Sequence, residues 1–401
     1  MKLGSFSRMK CYRIFQTEQE MHFDLSKPQS LLQQSVREFC KREFPIQRVR
    51  EMAATEHVVD DRIWGEFADQ GWIGMHLPED LGGLGLGIVE LSVVMEELGR
   101  ACVPSPLLAT NWALSLLAAA AARTTTGPGD KGASEIASVI QVVIEGTSHV
   151  GLAVFEEQAP WCHHANELVT RVADDQTLSG VKQLVTHGDH AKWLVVTACH
   201  QGELCIARVP TGHTGVKLVA TPGMDGTRQL YQCHFDRVPL KDIQILARGS
   251  TAVAALAYSE QVAAVMVCSE MLGLMQWMLE TTVDYAKSRQ QFDRVIGSYQ
   301  AVQHKCADML LLTESARSAT WYSAWALEQA VPDASQAVSI AKIYTSDAIR
   351  DVANLAVQVH GGVGFTWEHD LHFYYKRAKA DELLLGDATF HRERLAQMIF
   401  N

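Results

Sequence analysis

Four residues that can bind a flat, anionic ligand lie in one short stretch between two long apolar helical runs: Arg289, Phe292, Gly297 and Gln300. We expect one helix to end near Arg289, a short connection to turn, and the next helix to begin near Gln300. At such a corner an arginine fork can bind a diphosphate, phenylalanine can pack on a flat ring, and glutamine can read a ring edge. A solvated helix end with a buried phenylalanine is the alternative interpretation.

A second candidate ligand-binding group lies further along the chain and consists of Gln358, Gly361 and Gly362. Adjacent glycines let the backbone approach a ligand closely, and N–H groups at a helix terminus favour an anion. A tight helix–loop turn would use the same residues, so the pattern alone leaves both interpretations open.

No metal site is expected. The nine cysteines are scattered without a C-x-x-C pair. Of two histidine groups, the first lacks a second pair of ligands at metal-binding spacing, whereas the spacing of the second would permit a metal. Surface or stacking roles are the preferred interpretation of these histidines. The two groups are Cys162, His163 and His164, and His360, His369 and His372.

Residues 285–309 resemble the signature of the acyl-CoA dehydrogenase family, which typically reads Tyr-Ala-x-x-Arg-x-x-Phe-Gly-x-x-Ile-Gly-x-x-Gln-Ala. Asp293 departs from it, because the family usually has glycine there. Residues 358–364 match the family's Gln-x-x-Gly-Gly-x-Gly. The resemblance implies FAD as cofactor, an acyl-CoA substrate and α,β-dehydrogenation, in which a carboxylate removes the α proton and the β hydrogen leaves as hydride to the flavin.

The resemblance also implies which residues contact FAD. Thr186 falls on the position whose hydroxyl faces the flavin, because residues 178–188 are similar to Leu-x-Gly-x-Lys-x-Trp-Ile-Thr-x-Gly, with Leu184 replacing the tryptophan. Residues 155–161 stand where the family has Thr-Glu-Pro-x-x-Gly-Ser-Asp, and Phe155 lacks the hydroxyl of that threonine. In the family the remaining predicted contacts reach across an interface to the FAD of the neighbouring protomer. They are Arg289, Phe292, Gln300, Gln358, Gly361 and Gly362.

The family's reaction needs a glutamate as base, and neither position that the family uses holds an acid here. Aligning Gly386 with the glycine of the family's Glu-Gly-Thr places Leu385 on the first position. The second position lies ten residues before Gly273 and is Ala263. The catalytic base is therefore not assigned by the sequence.

Four nearby acids are candidates for a displaced base: Glu382, Asp387, Glu260 and Glu270. Glu382 and Glu260 each precede one of the vacant positions by three residues, so each could share a helical face with it at about 5 Å. Asp387 follows Gly386, and Glu270 lies two helical turns after Ala263. Because proton abstraction tolerates little misplacement, a solvated role on a helix face is the preferred interpretation of each acid.

Composition and charge limit the class of protein. The chain has 401 residues, of which 47% are hydrophobic and 20% charged, and this predicts a globular protein of two or three units. No uninterrupted apolar run reaches about 18 residues, so no membrane contact is expected. The net charge of −11 argues against nucleic-acid binding. Scattered cysteines suit a reducing cytoplasm.

The order of patterns predicts an α+β fold that is mainly α. Residues 1–20 are expected to be a disordered extension, and 21–134 a helical domain that includes a stripe of Leu31, Leu32, Val36 and Phe39. From about residue 138, short β-branched runs beginning with Val139 and Val142–Ile144 predict a small antiparallel barrel or sandwich over 135–246. Residues 247–401 are expected to form a helical bundle, which the resemblance implies is a four-helix bundle.

Three functional hypotheses follow. The contacts to a neighbour's FAD are intact while the contacts to the chain's own flavin are eroded, which favours a subunit of a hetero-oligomeric dehydrogenase with a homologous partner in a dimer or tetramer. The alternatives are a self-sufficient dehydrogenase with a relocated acid and a non-enzymatic scaffold on the same fold. The resemblance implies electron-transferring flavoprotein as the reoxidising partner, and the acyl group stays open among straight-chain, branched and polycyclic types.

Overall fold

Helices form the first part of the chain in the computed structural model, which describes residues 21, 23–55, 60–123, 131–157 and 165–400. The predicted extension, residues 1–20, lies outside this range. Ser26 begins α1 with a reciprocal capping box, because its hydroxyl accepts from Gln29 N–H and the Gln29 side chain accepts from Ser26 N–H. The helices are α1 (Lys27–Glu43), α2 (Ile46–Ala53), α3 (Asp61–Asp69), α4 (Ile88–Arg100), α5 (Leu107–Arg123) and α6 (Lys131–Ile144).

The stripe predicted for α1 is partly confirmed. Val36 and Phe39 are buried, and Phe39 packs edge-on against Trp72 with ring centroids 4.9 Å apart. Leu31, which the pattern also assigned to this face, is 59% exposed. Leu32 is half-buried and packs against the core, so the apolar face of α1 begins at Leu32.

The β-rich part begins later than predicted, because the run from Val139 to Ile144 is helical. Within α6, Ile136, Val139, Ile140 and Val143 are all buried and recur at helical spacing. The β-branched residue types suggested a strand, but their positions at i, i+3, i+4 and i+7 follow a helix. Helix α6 thus crosses the boundary predicted at residue 135.

Eight strands then form one mixed sheet in the order β6–β7–β3–β2–β4–β5–β8, and β1 also pairs with β4. The pairing is antiparallel except for β1–β4 and β2–β4, which are parallel. The side chains facing inward form an apolar core of their own, which includes Leu178, Val196 and Phe235. The strands are β1 (Val150–Ala153), β2 (Arg171–Val172), β3 (Thr177–Thr186), β4 (Trp193–His200), β5 (Glu203–Pro210), β6 (Val216–Thr221), β7 (Leu230–Pro239) and β8 (Gln244–Arg248).

A helical bundle completes the chain, in agreement with the predicted mainly α class. Helix α7 is the one helix in the described ranges that is long and apolar enough to cross a membrane, and 89% of its most apolar window is buried inside the fold. It is thus the central core helix. The elements are α7 (Gly249–Ser288), β9 (Gln290–Gln291), β10 (Arg294–Val295), α8 (Gln300–Glu328), α9 (Ala334–His360), α10 (Leu371–Leu383) and α11 (Ala388–Phe400).

Helices α4 and α7 are in direct backbone contact through two glycines. A Cβ at Gly273 would overlap the carbonyl oxygen of Glu96, and a Cβ at Gly99 would overlap the carbonyl oxygen of Glu270. Because the interior is close-packed, neither backbone has room to move away without a shift of the whole helix. This contact fixes the spacing between the first helices and the bundle.

The glycine-rich loop over residues 77–87 is also a close passage of backbones rather than an open turn. A Cβ at Gly83 would overlap the carbonyl oxygen of Leu77. At the end of the loop, the Glu328 carboxylate accepts a hydrogen bond of 3.1 Å from Val89 N–H and so satisfies the first turn of α4. These contacts make the loop a structural turn that leads into α4.

We expect Gly273→Ala to destabilise the protein, although alanine is the better helix former. The gain in helix propensity is about 1 kcal/mol, whereas the clash with the Glu96 carbonyl resembles overpacking of a core, which typically costs about 1–3 kcal/mol or more. Gly65→Ala in α3 is the matched control, because a Cβ there meets no atom of the described chain within 4 Å and should be neutral or stabilising. Urea unfolding measures both variants, and equal stabilisation by the two would contradict the close contact.

Candidate functional site

The corner predicted after α7 is a tight β-hairpin. β9 and β10 pair antiparallel, and the two residues between them, Phe292 and Asp293, have φ of 53° and 62°. Two left-handed residues in a row define the turn that best matches the twist of a hairpin, and glycine or asparagine usually fills it. Asp293 therefore replaces the family's glycine in a conformation that aspartate tolerates.

The arginine corner, which we define as Arg289, Phe292 and Gln300, is exposed. Phe292 is 85% exposed, and Arg289 and Gln300 are both exposed as well. Within the described part of the chain, the Arg289 guanidinium has no hydrogen-bond or ion-pair partner, while its N–H caps α7 by donating to the Tyr285 carbonyl. The alternative of a buried phenylalanine is wrong for Phe292. An unpaired cation beside an exposed ring is available to an anionic, flat ligand.

The second predicted group lies beside this corner. Tyr285, one turn before the end of α7, stacks on His360 at the end of α9 with ring centroids 4.5 Å apart. Gly361 and Gly362, which we call the paired-glycine turn, follow His360, and a Cβ at either would meet no described atom within 4 Å. Gln358 is exposed on the last turn of α9. The structure thus brings the two predicted groups to one exposed end of the bundle.

The paired-glycine turn lies at the carboxyl end of a helix, so the predicted attraction of an anion by helix N–H groups is wrong. Gly361 is the C-cap of α9, with φ of 63° and its N–H donated to the Val357 carbonyl. The carboxyl end of a helix carries partial negative charge, so α9 itself does not favour an anion here. The positive charge at this surface comes from arginine side chains, and the glycines contribute open space.

Thr186 lies elsewhere, on the inner side of the molecule. It is half-buried at the end of β3, where it pairs with Leu230 of β7. Phe155 is buried and packs on Trp112, with ring centroids 5.4 Å apart. Residues 158–164, including the remainder of the segment that begins at Phe155 and the histidines after Cys162, lie outside the described residues.

A buried ionic cluster joins three parts of the fold next to Thr186. His187 N–H donates to the Gln229 carbonyl, 2.9 Å away, so the end of β3 lies directly beside the segment that carries Arg228. The cluster comprises Asp225 and Arg228 from this segment, Glu270 from α7, and Arg377 and Asp381 from α10. Its side chains are between 0% and 9% exposed.

Glu270 is the centre of the ionic cluster. One of its oxygens accepts from Arg228 Nη2 at 2.7 Å, and the other accepts from Arg377 Nη1. Arg377 Nε also binds Asp225 at 2.5 Å, and Arg228 binds Asp381. With three carboxylates to two guanidinium groups, the cluster carries one negative charge in excess when all five are ionised. Removing one member of such a buried set typically costs about 3–5 kcal/mol.

Two groups in this interior have perturbed pKa values. Burial, and then the negative charge of Glu270, raise the pKa of Asp381 to about 7. Its Oδ2 atom is buried without a hydrogen-bond partner among the described residues. Burial and the positive charge of Arg228 lower the pKa of His187 to about 3, so its imidazole is neutral.

The two positions where the family has its base are apolar and buried. Leu385 is 5% exposed and Ala263 is fully buried. Lys342, itself fully buried, fixes the loop that carries Leu385, because its ammonium donates to the carbonyls of Asp381 at 3.2 Å, Glu382 at 3.0 Å and Gly386 at 3.0 Å. A cation at the carboxyl end of α10 also complements the helix dipole.

Structural partners are seen for Glu382, Glu270 and Asp387. Glu382 binds Arg350 at 3.1 Å and Lys379 at 3.0 Å, and Glu270 is held in the ionic cluster. Asp387 caps α11, because its Oδ1 accepts from Phe390 N–H at 2.8 Å. Glu260 is half-buried on α7. The interpretation of these acids as solvated face residues is therefore wrong for Glu270 and Glu382, which are both buried.

The sequence patterns did not predict the ionic cluster or the buried position of Lys342. Only the i, i+4 spacing of Arg377 and Asp381 hinted at a charged helix face, and on a surface helix the same spacing would be unremarkable. Arg228 and Asp381 are 153 residues apart in the chain, so no local pattern joins them.

Comparison with known proteins gives consistent matches over most of the chain. The protein-family model described as "Acyl-CoA dehydrogenase, C-terminal domain" matches residues 256–400. The family model described as "Acyl-CoA dehydrogenase, N-terminal domain" matches residues 26–125. A Mycobacterium tuberculosis protein named acyl-CoA dehydrogenase IpdE2 is 31% identical over 340 residues, covering 84% of this chain and 86% of the relative. The Mycolicibacterium smegmatis protein of the same name is 28% identical, covering 94% of this chain and all of the relative.

Similar solved structures agree with this result. One, a point variant described as "Tcur3481-Tcur3483 steroid ACAD", superposes with a TM-score of 0.79 at 28% identity, covering 93% of this chain and 97% of that one. The fold and its order of elements are therefore shared along almost the whole chain.

The raised pKa of Asp381 predicts a specific pH dependence of stability. Since its folded pKa of about 7 lies above an unfolded value of about 3.9, the folded state binds more protons in between, and its stabilisation is lost as the pH rises towards 7. Asp381→Asn removes this titration, so the difference in the free energy of unfolding between the variant and wild type should shift in favour of the variant as the pH rises from 5 to 8, whatever the variant loses at all pH values by weakening the ionic cluster. Urea unfolding at a series of pH values measures the difference.

His187 has the opposite effect on the pH dependence of stability. Because its pKa is lowered in the folded state, the folded state loses stability as the pH falls below about 6.5. Both proteins contain His187, so the difference between them isolates Asp381. Glu393→Gln, which removes an exposed acid, controls for the loss of a surface charge. Parallel pH curves for wild type and Asp381→Asn would show that Asp381 does not titrate in this range.

Proposed function

Because the chain belongs to the acyl-CoA dehydrogenase family of FAD-dependent oxidoreductases acting on acyl-CoA thioesters, we propose that it is a subunit of a hetero-oligomeric acyl-CoA dehydrogenase. In this proposal the arginine corner and the paired-glycine turn contact the FAD of a homologous partner subunit. The partner supplies the catalytic base and the acyl-CoA site. The observation that carries the proposal is the buried, apolar Leu385 at the position of the base, in a loop that Lys342 fixes.

The exposed end of the bundle fits the nucleotide half of FAD. Arg289 offers to a diphosphate a guanidinium that is unpaired within the described chain, and Phe292 offers an exposed ring. The space around Gly361 and Gly362 is open to a ligand backbone. When bound, FAD supplies the hydride acceptor for the dehydrogenation. The part of this chain is to position the nucleotide, a role that needs no acid.

The interior of the chain does not fit a flavin ring of its own. Beside Thr186, the space between the sheet and the bundle is occupied by the ionic cluster, which is bonded across all three elements. Opening it would leave buried charges unpaired, which is strongly unfavourable. The hydroxyl of Thr186 is therefore proposed as a remnant of a flavin contact rather than a working one.

Backbone contact between α4 and α7 also argues against an acyl pocket in this chain. In the family the connection before α4 borders this pocket, and here α4 lies against α7 at Gly99 and Gly273. An acyl chain between them would have to separate two packed helices. The substrate site is therefore assigned to the partner, and the words "steroid ACAD" in the description of the similar structure direct the first test to polycyclic as well as straight-chain acyl groups.

The proposal predicts that flavin content depends on the partner and on Arg289. The lone chain should purify with little flavin, and co-expression with an acyl-CoA dehydrogenase chain that retains the glutamate should give a yellow complex with turnover. Arg289→Ala should lower the flavin-to-protein ratio of that complex several-fold, because a charge-assisted bidentate contact is lost. Absorbance at the flavin maximum against total protein measures the ratio.

Lys287→Ala is the matched control, since it removes an exposed positive charge two residues from Arg289 that has only a long contact of 3.9 Å to Asp284. It should leave the flavin ratio unchanged. Full flavin loading and turnover in the lone chain would disprove the proposal in favour of a self-sufficient enzyme. A complete lack of flavin in every preparation would favour the scaffold hypothesis.

The candidate acids of this chain should be dispensable for turnover of the complex. A general base typically contributes about 10²–10⁴-fold to the rate, yet Glu382→Gln, Asp387→Asn and Glu260→Gln should each leave kcat within about twofold. Glu270→Gln should lower thermal stability, because it weakens the ionic cluster. Steady-state kinetics with electron-transferring flavoprotein or an artificial acceptor measures these rates. A loss of about 100-fold in a well-folded variant would identify a relocated base.

A further inference from the structure

Trp367, which follows the paired-glycine turn, is an exposed aromatic side chain that its neighbours hold in place. It is 71% exposed. The Lys376 ammonium lies 3.9 Å from the ring centroid, and His372 approaches edge-on with centroids 4.8 Å apart. A large aromatic surface is thus presented to solvent while cationic and edge contacts restrict its rotation.

The backbone at Trp367 is fixed by an arginine from a distant part of the chain. Arg50 of α2 donates to the carbonyl oxygen of Trp367 at 2.7 Å and to that of Glu368 at 2.8 Å. The same guanidinium binds Asp370, with Nε 2.7 Å from Oδ1. Because the segment is already ordered, it would lose little additional conformational entropy when a ligand binds at Trp367.

The chemistry of the surroundings indicates what such a ligand is. Phe365, two residues earlier, is 76% exposed, and Lys376 places positive charge on the same segment, whereas Asp370 balances the charge of Arg50. A flat ring with a cation beside it suits a heteroaromatic base attached to phosphate, since stacking needs only a π-face and the phosphate needs the charge. An apolar protein segment would pack on the two aromatic rings but would gain nothing from the Lys376 ammonium.

We propose that Trp367 stacks on the purine ring of the dinucleotide held by the partner subunit. This inference rests on the proposed function, because the ligand reaches Trp367 only across a subunit interface. Arg289 then binds the diphosphate and Trp367 selects the adenylate end. The residue therefore acts in specificity and positioning, and it takes no part in hydrogen transfer.

The test compares FAD with FMN, which lacks the adenylate half, in the co-expressed complex after removal of its flavin. Trp367→Ala should weaken FAD binding about tenfold, in line with the loss of one stacked base, and leave FMN binding unchanged. Trp367→Phe keeps a ring and should retain FAD affinity within about threefold. Fluorescence titration of each apo-complex with each flavin measures the affinities, and thermal unfolding checks that the variants are folded.

Arg289→Ala separates this inference from the proposed function. If Arg289→Ala weakens FAD binding and Trp367→Ala does not, the stacking role is wrong and the subunit role stands. If Trp367→Ala weakens FAD and FMN equally, or weakens assembly of the complex instead, the ring contacts the partner protein and the inference is also wrong. If neither variant changes flavin binding, or if no partner chain yields a flavin-containing complex, both proposals fail together.

Discussion

The structure depends on how Glu270 is neutralised in the interior. Its two carboxylate oxygens are shared between Arg228 and Arg377, so one side chain of α7 binds both the sheet segment and α10. Ionic groups without water are tolerated only when they are fully paired, and each arginine therefore brings a second acid, Asp381 or Asp225. The cluster holds three elements at fixed distances.

The interior and the exposed end of the bundle differ in whether their charged side chains have partners. Around the ionic cluster, charges are paired, helices α4 and α7 touch through glycines, and Lys342 fixes the loop at Leu385. At the arginine corner a guanidinium has no partner in the described chain, and Phe292 is left in water in a left-handed conformation that is unfavourable for its type. Exposed strain of this kind persists where binding makes use of it. This asymmetry is the one that the proposed role, a subunit that contacts a ligand outside itself, would require.

The helix end, turn and new helix at the arginine corner were predictable because their signals are local. Arg289, Phe292 and Gln300 belong to one turn between two helices, and the family pattern carries that turn as a unit. The mainly α class was predictable for the same reason, since helical stripes such as Val36 and Phe39 repeat within a single element. Helix α6 was misread because β-branched residue types outweighed their spacing, although Ile136, Val139, Ile140 and Val143 follow a helix.

The interior was not predictable, because its partners come from remote segments and charge gives no indication of burial. Glu270 and Arg228 are 42 residues apart, and Glu270 and Arg377 are 107 apart. The sequence also did not show which end of a helix the paired-glycine turn lies at. Its glycines predicted an anion at a helix terminus, but the terminus is the carboxyl end of α9, whose partial charge is negative. In the proposed role, attraction for a diphosphate therefore comes from arginine side chains such as Arg289, and the glycines act only by leaving space. If so, Gly361 and Gly362 would set how closely a ligand approaches, and the arginine how strongly it is held.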